Sequence, residues 1–81
     1  MDHKLEKILN HFGKDNQELK LLEEVKELKL ALEWNDRDQI EEEMADVLVV
    51  INQLKTERVE NIYRKKINRT LKRMEEGYYD N

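Results

Sequence analysis

The fold of this 81-residue chain is decided by two stretches, NQELKLLEEVKELKLALEW at residues 16–34 and DQIEEEMADVLVVINQLK at residues 38–55. In both, apolar residues recur at the 0, 4, 7, 11 spacing of a buried helix face. The short connection between the stretches predicts an antiparallel pair of helices. The two stripes repeat with an offset of 19 residues, and they are Leu21, Val25, Leu28 and Leu32, then Ile40, Met44, Val47 and Ile51.

Weaker signals place two further helices beside this hairpin. Residues 3–11 predict a short helix, and residues 57–76 predict a basic helix that stops at Gly77, since glycine commonly ends a helix. The chain has no proline and two glycines, so few residues oppose helix formation. We therefore expect a single all-α domain over residues 1–81 with its core at 16–77.

Capping residues predict where the two long helices begin. Asp15 or Asn16 is the expected N-cap of the first, and Asp36 or Asp38 that of the second, because short polar side chains accept hydrogen bonds from the first turn. Residues 78–81 read as a tail beyond the last helix.

Each long helix carries two acids, three residues apart, along the same edge of its apolar stripe; we call this edge the carboxylate shoulder. They are Glu24 and Glu27 on the first helix, and Glu43 and Asp46 on the second. At about 100° per residue, the first acid of each pair lies about 60° and the second about 120° from the centre of its stripe. Antiparallel packing then predicts four converging carboxylates, of which Glu27 and Asp46 are the more solvent-accessible.

Like charges at the edge of a core repel one another unless a cation neutralises them. Hard cations prefer oxygen ligands, and Mg²⁺ combines one or two carboxylates with waters and substrate phosphates. The chain has no cysteine, and His3 and His11 are near the N-terminus, which argues against zinc or copper. The pattern therefore predicts a Mg²⁺ site in which Mn²⁺ can substitute, the alternative being an ordinary solvated acidic surface.

Charge is divided along the chain although the net charge is only −4. Residues 1–54 hold 14 acids and 7 bases, residues 55–73 hold 8 bases and 2 acids, and residues 74–81 add three acids. Residues 64–73 are basic enough to suggest a nucleic-acid binder. A long duplex would also meet the acidic half of so small a body, so a phosphate ligand with a metal ion is favoured over nucleic acid.

The sequence shows no membrane segment. No apolar run approaches the roughly 20 residues that span a bilayer, and the N-terminus lacks the apolar core of a signal peptide. These features predict a cytoplasmic protein.

The apolar residues predict assembly with further copies of the chain. A core formed by fewer than about 80 residues seldom supplies more than a few kcal/mol. Leucines and a valine also lie outside the main stripes, so each hairpin has more apolar surface than one chain can cover. We expect a homodimer or homotetramer in which two hairpins form a four-helix bundle. These additional residues are Leu19, Leu22, Leu30, Leu48 and Val49.

Three segments together resemble a known family. NQELKLLEEVKELKLAL (16–32), followed by EEEMADVLVVINQL (41–54), is similar to the MazG-like nucleotide pyrophosphohydrolases of the all-α NTP pyrophosphatase superfamily. Their ExxE, spacer and ExxD pattern is matched by Glu24-x-x-Glu27 and Glu43-x-x-Asp46. KKINRTLKRMEEG (65–77) resembles the basic closing helix of short, phage-type members.

The resemblance implies Mg²⁺-dependent hydrolysis of a (deoxy)nucleoside triphosphate to its monophosphate and pyrophosphate, in the house-cleaning of nucleotide pools. It also implies that Glu24, Glu27, Glu43 and Asp46 are both the metal ligands and the catalytic residues. The alternative is a helical oligomer that has lost catalysis and acts as an interaction module.

Basic residues of the last helix are candidates for phosphate contact. In the family, a lysine followed by arginines contacts phosphate here, and Lys66 and Arg69 match that pattern best. Thr70 stands where an arginine is often found, so the resemblance implies that the basic contact to phosphate is weaker here or is shifted to Arg73. Arg69 is predicted to point away from the buried side of its helix, so it either serves a neighbouring chain or faces solvent.

Three residues near the acids complete the candidate substrate contacts. Trp34 is predicted on the side of Glu24 and Glu27, where a base could stack on it; the favoured alternative is that it closes the end of the hairpin or joins an interface. Gln17 and Lys20 fall on the carboxylate shoulder and are candidates for sugar or phosphate contact.

Overall fold

The computed structural model describes residues 2–77 and shows an all-α chain, as predicted. Over these residues it has four helices and no strand. The predicted tail at residues 78–81 lies outside the described residues. Within the part of the chain that the structure describes, no helix combines the length and apolar character needed to cross a bilayer. The helices are α1 (His3–Phe12), α2 (Lys14–Trp34), α3 (Arg37–Leu54) and α4 (Glu57–Glu75).

The start of α2 corrects one predicted cap. The helix begins at Lys14, and its N-cap is Gly13 rather than Asp15 or Asn16. Gly13 has φ 86°, a backbone conformation that glycine adopts without strain. The Asn16 side chain instead donates to the Phe12 carbonyl at 2.7 Å, so it holds the end of α1 against the start of α2.

The start of α3 confirms one of the two predicted caps. Asp36 accepts a hydrogen bond from the Gln39 backbone N–H at 3.1 Å. Asn35, immediately before it, adopts the left-handed conformation that ends α2, with φ 55°. These two residues reverse the chain within a short turn, which makes α2 and α3 antiparallel neighbours.

The face that α2 and α3 bury against each other differs from the predicted apolar stripes. Four members of those stripes remain largely exposed: Val25, Leu32, Met44 and Ile51. The buried face is rotated toward the carboxylate shoulder and consists of Gln17, Glu24 and Ala31 on α2 and Ile40, Glu43, Val50 and Gln53 on α3. The apolar pattern therefore marks more surface than one hairpin covers, and two of the acids lie inside the contact. Helix α1 packs against both α2 and α3 at one end.

Helix α4 packs against none of the other helices within residues 2–77. Thr56 caps it, accepting from the Val59 N–H at 3.2 Å, and Lys55 pairs with Glu60 at 2.6 Å across the turn. The radius of gyration is 16.0 Å, whereas a compact chain of this length has about 12 Å. The apolar side of α4 is therefore exposed, and it contains Val59, Ile62, Tyr63, Ile67, Leu71 and Met74.

Candidate metal centre

Three of the four predicted acids meet between α2 and α3. Glu24, Glu27 and Glu43 each offer a carboxylate oxygen, and these oxygens lie within 4.8 Å of one another. Glu24 and Glu43 are only 4% and 5% exposed, whereas Glu27, about one turn farther along α2, faces solvent. The cluster thus has a buried floor of two carboxylates and an exposed rim.

Asp46 borders this cluster rather than completing the close group of three. Its side chain lines a cleft together with Glu24 and is exposed, as predicted for the second acid of each pair. Because Glu24 and Asp46 line the same cleft, Asp46 lies beside that carboxylate without being one of the three clustered acids.

Each buried glutamate has a partner four residues earlier on its own helix. Lys20 Nζ lies 2.9 Å from Glu24 Oε1, and Gln39 Nε2 donates to Glu43 Oε1 at 2.5 Å. Lys20 and Gln39 are related by the same 19-residue offset as the acids themselves. Gln39 was not predicted as a site residue, although the repeat that matches it to Lys20 was a signal that could have found it.

Within residues 2–77, the other oxygen of each buried glutamate has no hydrogen-bond partner. Glu24 Oε2 and Glu43 Oε2 are inaccessible to solvent and have no hydrogen-bond partner among the described residues. Buried polar atoms are nearly always hydrogen-bonded, because an unsatisfied one loses its hydration without compensation. Two such acceptors among closely spaced carboxylates suit a hard divalent cation. The residues present therefore fit a divalent metal ion.

The pKa values of the two buried acids shift in opposite directions. The hydrogen bond from Lys20 is the largest influence on Glu24 and lowers its pKa, although burial opposes it. Burial is the largest influence on Glu43 and raises its pKa; the nearby Glu24 and Glu27 add to the rise, and Gln39 opposes it. Of these two acids, Glu43 is therefore the one that takes up a proton more readily.

A cleft of about 530 Å³ opens beside Glu24 and Asp46. Its floor is a pair of buried amides, in which Gln17 Nε2 donates to Gln53 Oε1 at 2.7 Å. Gln53 is 2% exposed and also donates to the Val49 carbonyl at 3.2 Å. Gln17 was predicted near the site, whereas Gln53 was not, because only the register between the helices places it opposite Gln17. Lys20 lines the same cleft.

Trp34 does not close the end of the hairpin, which was one of the predicted alternatives. Its side chain is 81% exposed, so nothing within residues 2–77 covers it. It lines a shallow groove of about 360 Å³ whose other members include Glu27, Gln39 and Glu43. Trp34 therefore lies beside the acid cluster. Its groove is separate from the cleft that contains Gln17 and Gln53.

The predicted basic contacts are not brought to the acids within one chain. Lys66, Arg69 and Arg73 lie on α4, which packs against neither α2 nor α3 within the described residues. Lys66 and Arg69 line a shallow groove on the surface of α4 with Ile62. Only a second copy of the chain, or a movement of α4, would place these cations near the carboxylates.

An antiparallel helix pair with a carboxylate cluster between its helices has the design of an oxygen-ligand metal site. The family model of the MazG nucleotide pyrophosphohydrolase domain matches residues 12–74 of the chain. The chain belongs to this family, and membership implies a nucleotide pyrophosphohydrolase. Neither the curated proteins nor the solved structures gave a significant match.

Proposed function

We propose that this protein hydrolyses (deoxy)nucleoside triphosphates to the monophosphate and pyrophosphate, using Mg²⁺ or, in its place, Mn²⁺. The observation that carries the proposal is that one buried oxygen on each of Glu24 and Glu43 has no hydrogen-bond partner among the described residues. Both residues lie within the segment 12–74 that matches the nucleotide pyrophosphohydrolase domain. A cytoplasmic role in removing unwanted nucleotides is the cellular setting that we propose.

Glu24, Glu27, Glu43 and Asp46 are the proposed ligands. When bound, a divalent ion offsets negative charge on phosphate oxygens and makes water a better nucleophile. The two buried acids provide fixed oxygens at the floor. The exposed carboxylates of Glu27 and Asp46 can accept a hydrogen bond from the attacking water, and either could orient it toward the α-phosphorus. Pyrophosphate then leaves, which matches the products expected for the family.

Two surfaces of the protein next to the acids are available to bind the substrate. The cleft floored by Gln17 and Gln53 presents side-chain amides and the Lys20 ammonium. The groove beside Glu27 and Glu43 presents the exposed Trp34 ring. We propose that Gln17, Lys20 and Trp34 contact the nucleotide, since aromatic stacking of a base contributes about 1–3 kcal/mol.

We further propose that the active form is a homodimer or homotetramer built from four-helix bundles. Leu22 is 69% exposed, and the apolar side of α4 is uncovered in one chain. A second hairpin would bury this surface, as in other helix bundles. In such an assembly α4 of one copy can bring Lys66, Arg69 and Arg73 to the acids of another, where they would bind phosphate.

Product analysis tests this function. The purified chain is incubated with the standard deoxy- and ribonucleoside triphosphates, with Mg²⁺ and with EDTA, and the products are separated by anion-exchange chromatography. We expect equal amounts of monophosphate and pyrophosphate with at least one triphosphate, and none in EDTA. Diphosphate with inorganic phosphate would contradict the reaction. No turnover of any triphosphate would favour the interaction module, and salt-sensitive binding of a duplex would favour a nucleic-acid binder.

A further inference from the structure

Lys20 forms an ion pair with Glu24, one of the two buried acids of the cluster. Its Nζ lies 2.9 Å from Glu24 Oε1 and 3.8 Å from Glu23 Oε2. Its pKa is raised, chiefly by the hydrogen bond to Glu24, so it carries its charge at neutral pH. One oxygen of Glu24 is thus neutralised by the chain's own cation, while the other is the buried oxygen without a partner among the described residues.

A divalent ion bound to Glu24 would lie close to this ammonium, and the two like charges repel. The ammonium has one short carboxylate contact, to Glu24, and a longer one to Glu23. Its four-carbon side chain is flexible and half exposed, so the ammonium can move. The other buried glutamate differs. Gln39, the matched partner of Glu43, is a neutral amide, which a cation does not repel.

The space into which Lys20 can move is already present. Its side chain lines the cleft of about 530 Å³ that also borders Glu24 and Asp46. Glu23, an exposed acid on the wall of that cleft, is the second carboxylate within its reach. An ammonium released from Glu24 therefore stays beside the acids but faces the open cleft.

We propose that Lys20 is an exchangeable counter-ion: it neutralises Glu24 in the metal-free protein, and when a divalent ion enters it leaves Glu24 and turns into the cleft to meet the triphosphate. This rests on the proposed function for the identity of the phosphate ligand. The exchange gives one side chain two opposite effects, because Lys20 weakens binding of the metal alone and strengthens binding of the nucleotide. A residue that merely supports the fold would not produce this reversal of sign.

The first measurement uses Mn²⁺ alone. Mn²⁺ is titrated into the metal-free full chain by calorimetry without nucleotide, for wild type, Lys20→Met and Lys29→Met. Lys29 pairs with Glu33 four residues later on the same helix, at 3.5 Å and away from the cluster, so it is the matched control. We expect the Kd of Lys20→Met to fall about three- to tenfold, since a like charge beside the ion is removed. Lys29→Met should bind as wild type does.

The second measurement uses the nucleotide. At saturating Mn²⁺, Lys20→Met should raise KM for the triphosphate about three- to tenfold, because a phosphate-facing charge is lost. Lys20→Gln, which keeps a hydrogen-bond donor but no charge, should follow Lys20→Met in both measurements. This second variant serves if the methionine variant does not fold.

The outcomes separate this inference from the proposed function. Unchanged or weaker Mn²⁺ binding in the folded Lys20 variants would overturn the exchange, and so would a wild-type chain that binds no Mn²⁺. Tighter Mn²⁺ binding with an unchanged KM would overturn the movement toward phosphate. A wild-type chain that binds Mn²⁺ but releases no pyrophosphate would refute the proposed function, while the titration alone would still decide whether Lys20 competes with the ion.

Discussion

Glu24 and Glu43 face each other across the α2–α3 hairpin, and each buries one carboxylate oxygen that finds no hydrogen-bond partner within residues 2–77. Their pKa values are displaced in opposite directions, downward for Glu24 by Lys20 and upward for Glu43 by burial. A helix contact that would ordinarily be apolar therefore contains charge that the metal-free protein only partly compensates.

We expect Glu43→Gln to raise the thermal midpoint of the metal-free protein at pH 7. The folded-state pKa of Glu43 is above its unfolded value, so the folded protein holds the proton more tightly. Stability therefore falls as pH rises from the unfolded pKa through the folded pKa, and it stays reduced above that window. The amide removes this loss, and its advantage should shrink as pH falls through the folded-state pKa and be gone below the unfolded glutamate pKa of about 4.3.

Circular-dichroism melts in EDTA at several pH values test this prediction. Glu42→Gln is the control, because Glu42 is the adjacent acid and is exposed. A Glu43→Gln protein that is less stable than wild type at pH 7 without metal would show that the ionised carboxylate stabilises the hairpin.

Mg²⁺ or Mn²⁺ should raise the thermal midpoint of the wild-type protein, since the ion binds the native cluster and not the unfolded chain. At an ion concentration one hundred times Kd, binding raises the free energy of unfolding by about 2.7 kcal/mol. In a domain of this size, each kcal/mol raises the thermal midpoint by about 4–8 °C. The double variant Glu43→Gln/Asp46→Asn should lose the rise. An equal rise in that variant would place the ion elsewhere.

Local signals in the sequence predicted the helices well, because caps and turns depend on a few neighbouring residues. Asp36 capped α3 as expected, while the glycine conformation at residue 13 replaced the predicted caps of α2. The acid pairs were placed on a shoulder of each stripe, but Glu24 and Glu43 lie within the buried face itself. Apolar periodicity cannot distinguish surface buried within a chain from surface available to another copy.

Hydrogen-bond partners on different helices were the part of the site that was hardest to predict. The Gln17–Gln53 hydrogen bond joins residues 36 positions apart, and only the relative shift of α2 and α3 brings them together. The position of α4 could not be predicted from the sequence either, because α4 does not pack against the other helices within residues 2–77.

Sedimentation at micromolar concentration should show at least twice the 9.9 kDa chain mass. The physical reason is the exposed apolar surface on the hairpin and on α4. Leu48→Glu, which places a charge on that surface of the hairpin, should shift the protein toward the monomer. A compact and active wild-type monomer would contradict both the assembly and a site shared between copies.

Mixing two inactive variants tests whether α4 serves a neighbouring site. Arg69→Glu should lose turnover by reversing a phosphate-facing charge, and Glu43→Gln by removing a metal ligand. If Arg69 acts on another copy, random pairing restores about a quarter of the sites to wild-type composition, and turnover should recover after subunit exchange. No recovery, with exchange shown independently, would mean that Arg69 acts within its own chain or not at all.

The most direct test of the central claim is pyrophosphate release by the four single variants Glu24→Gln, Glu27→Gln, Glu43→Gln and Asp46→Asn, compared with wild type and with the exposed-acid controls Glu42→Gln and Glu33→Gln. Each of the four changes keeps the shape of the side chain and removes its charge. We expect each to reduce turnover about a hundredfold or more with the helical content preserved, and the controls to match wild type. Normal turnover in two of the four would show that this cluster is not the catalytic site.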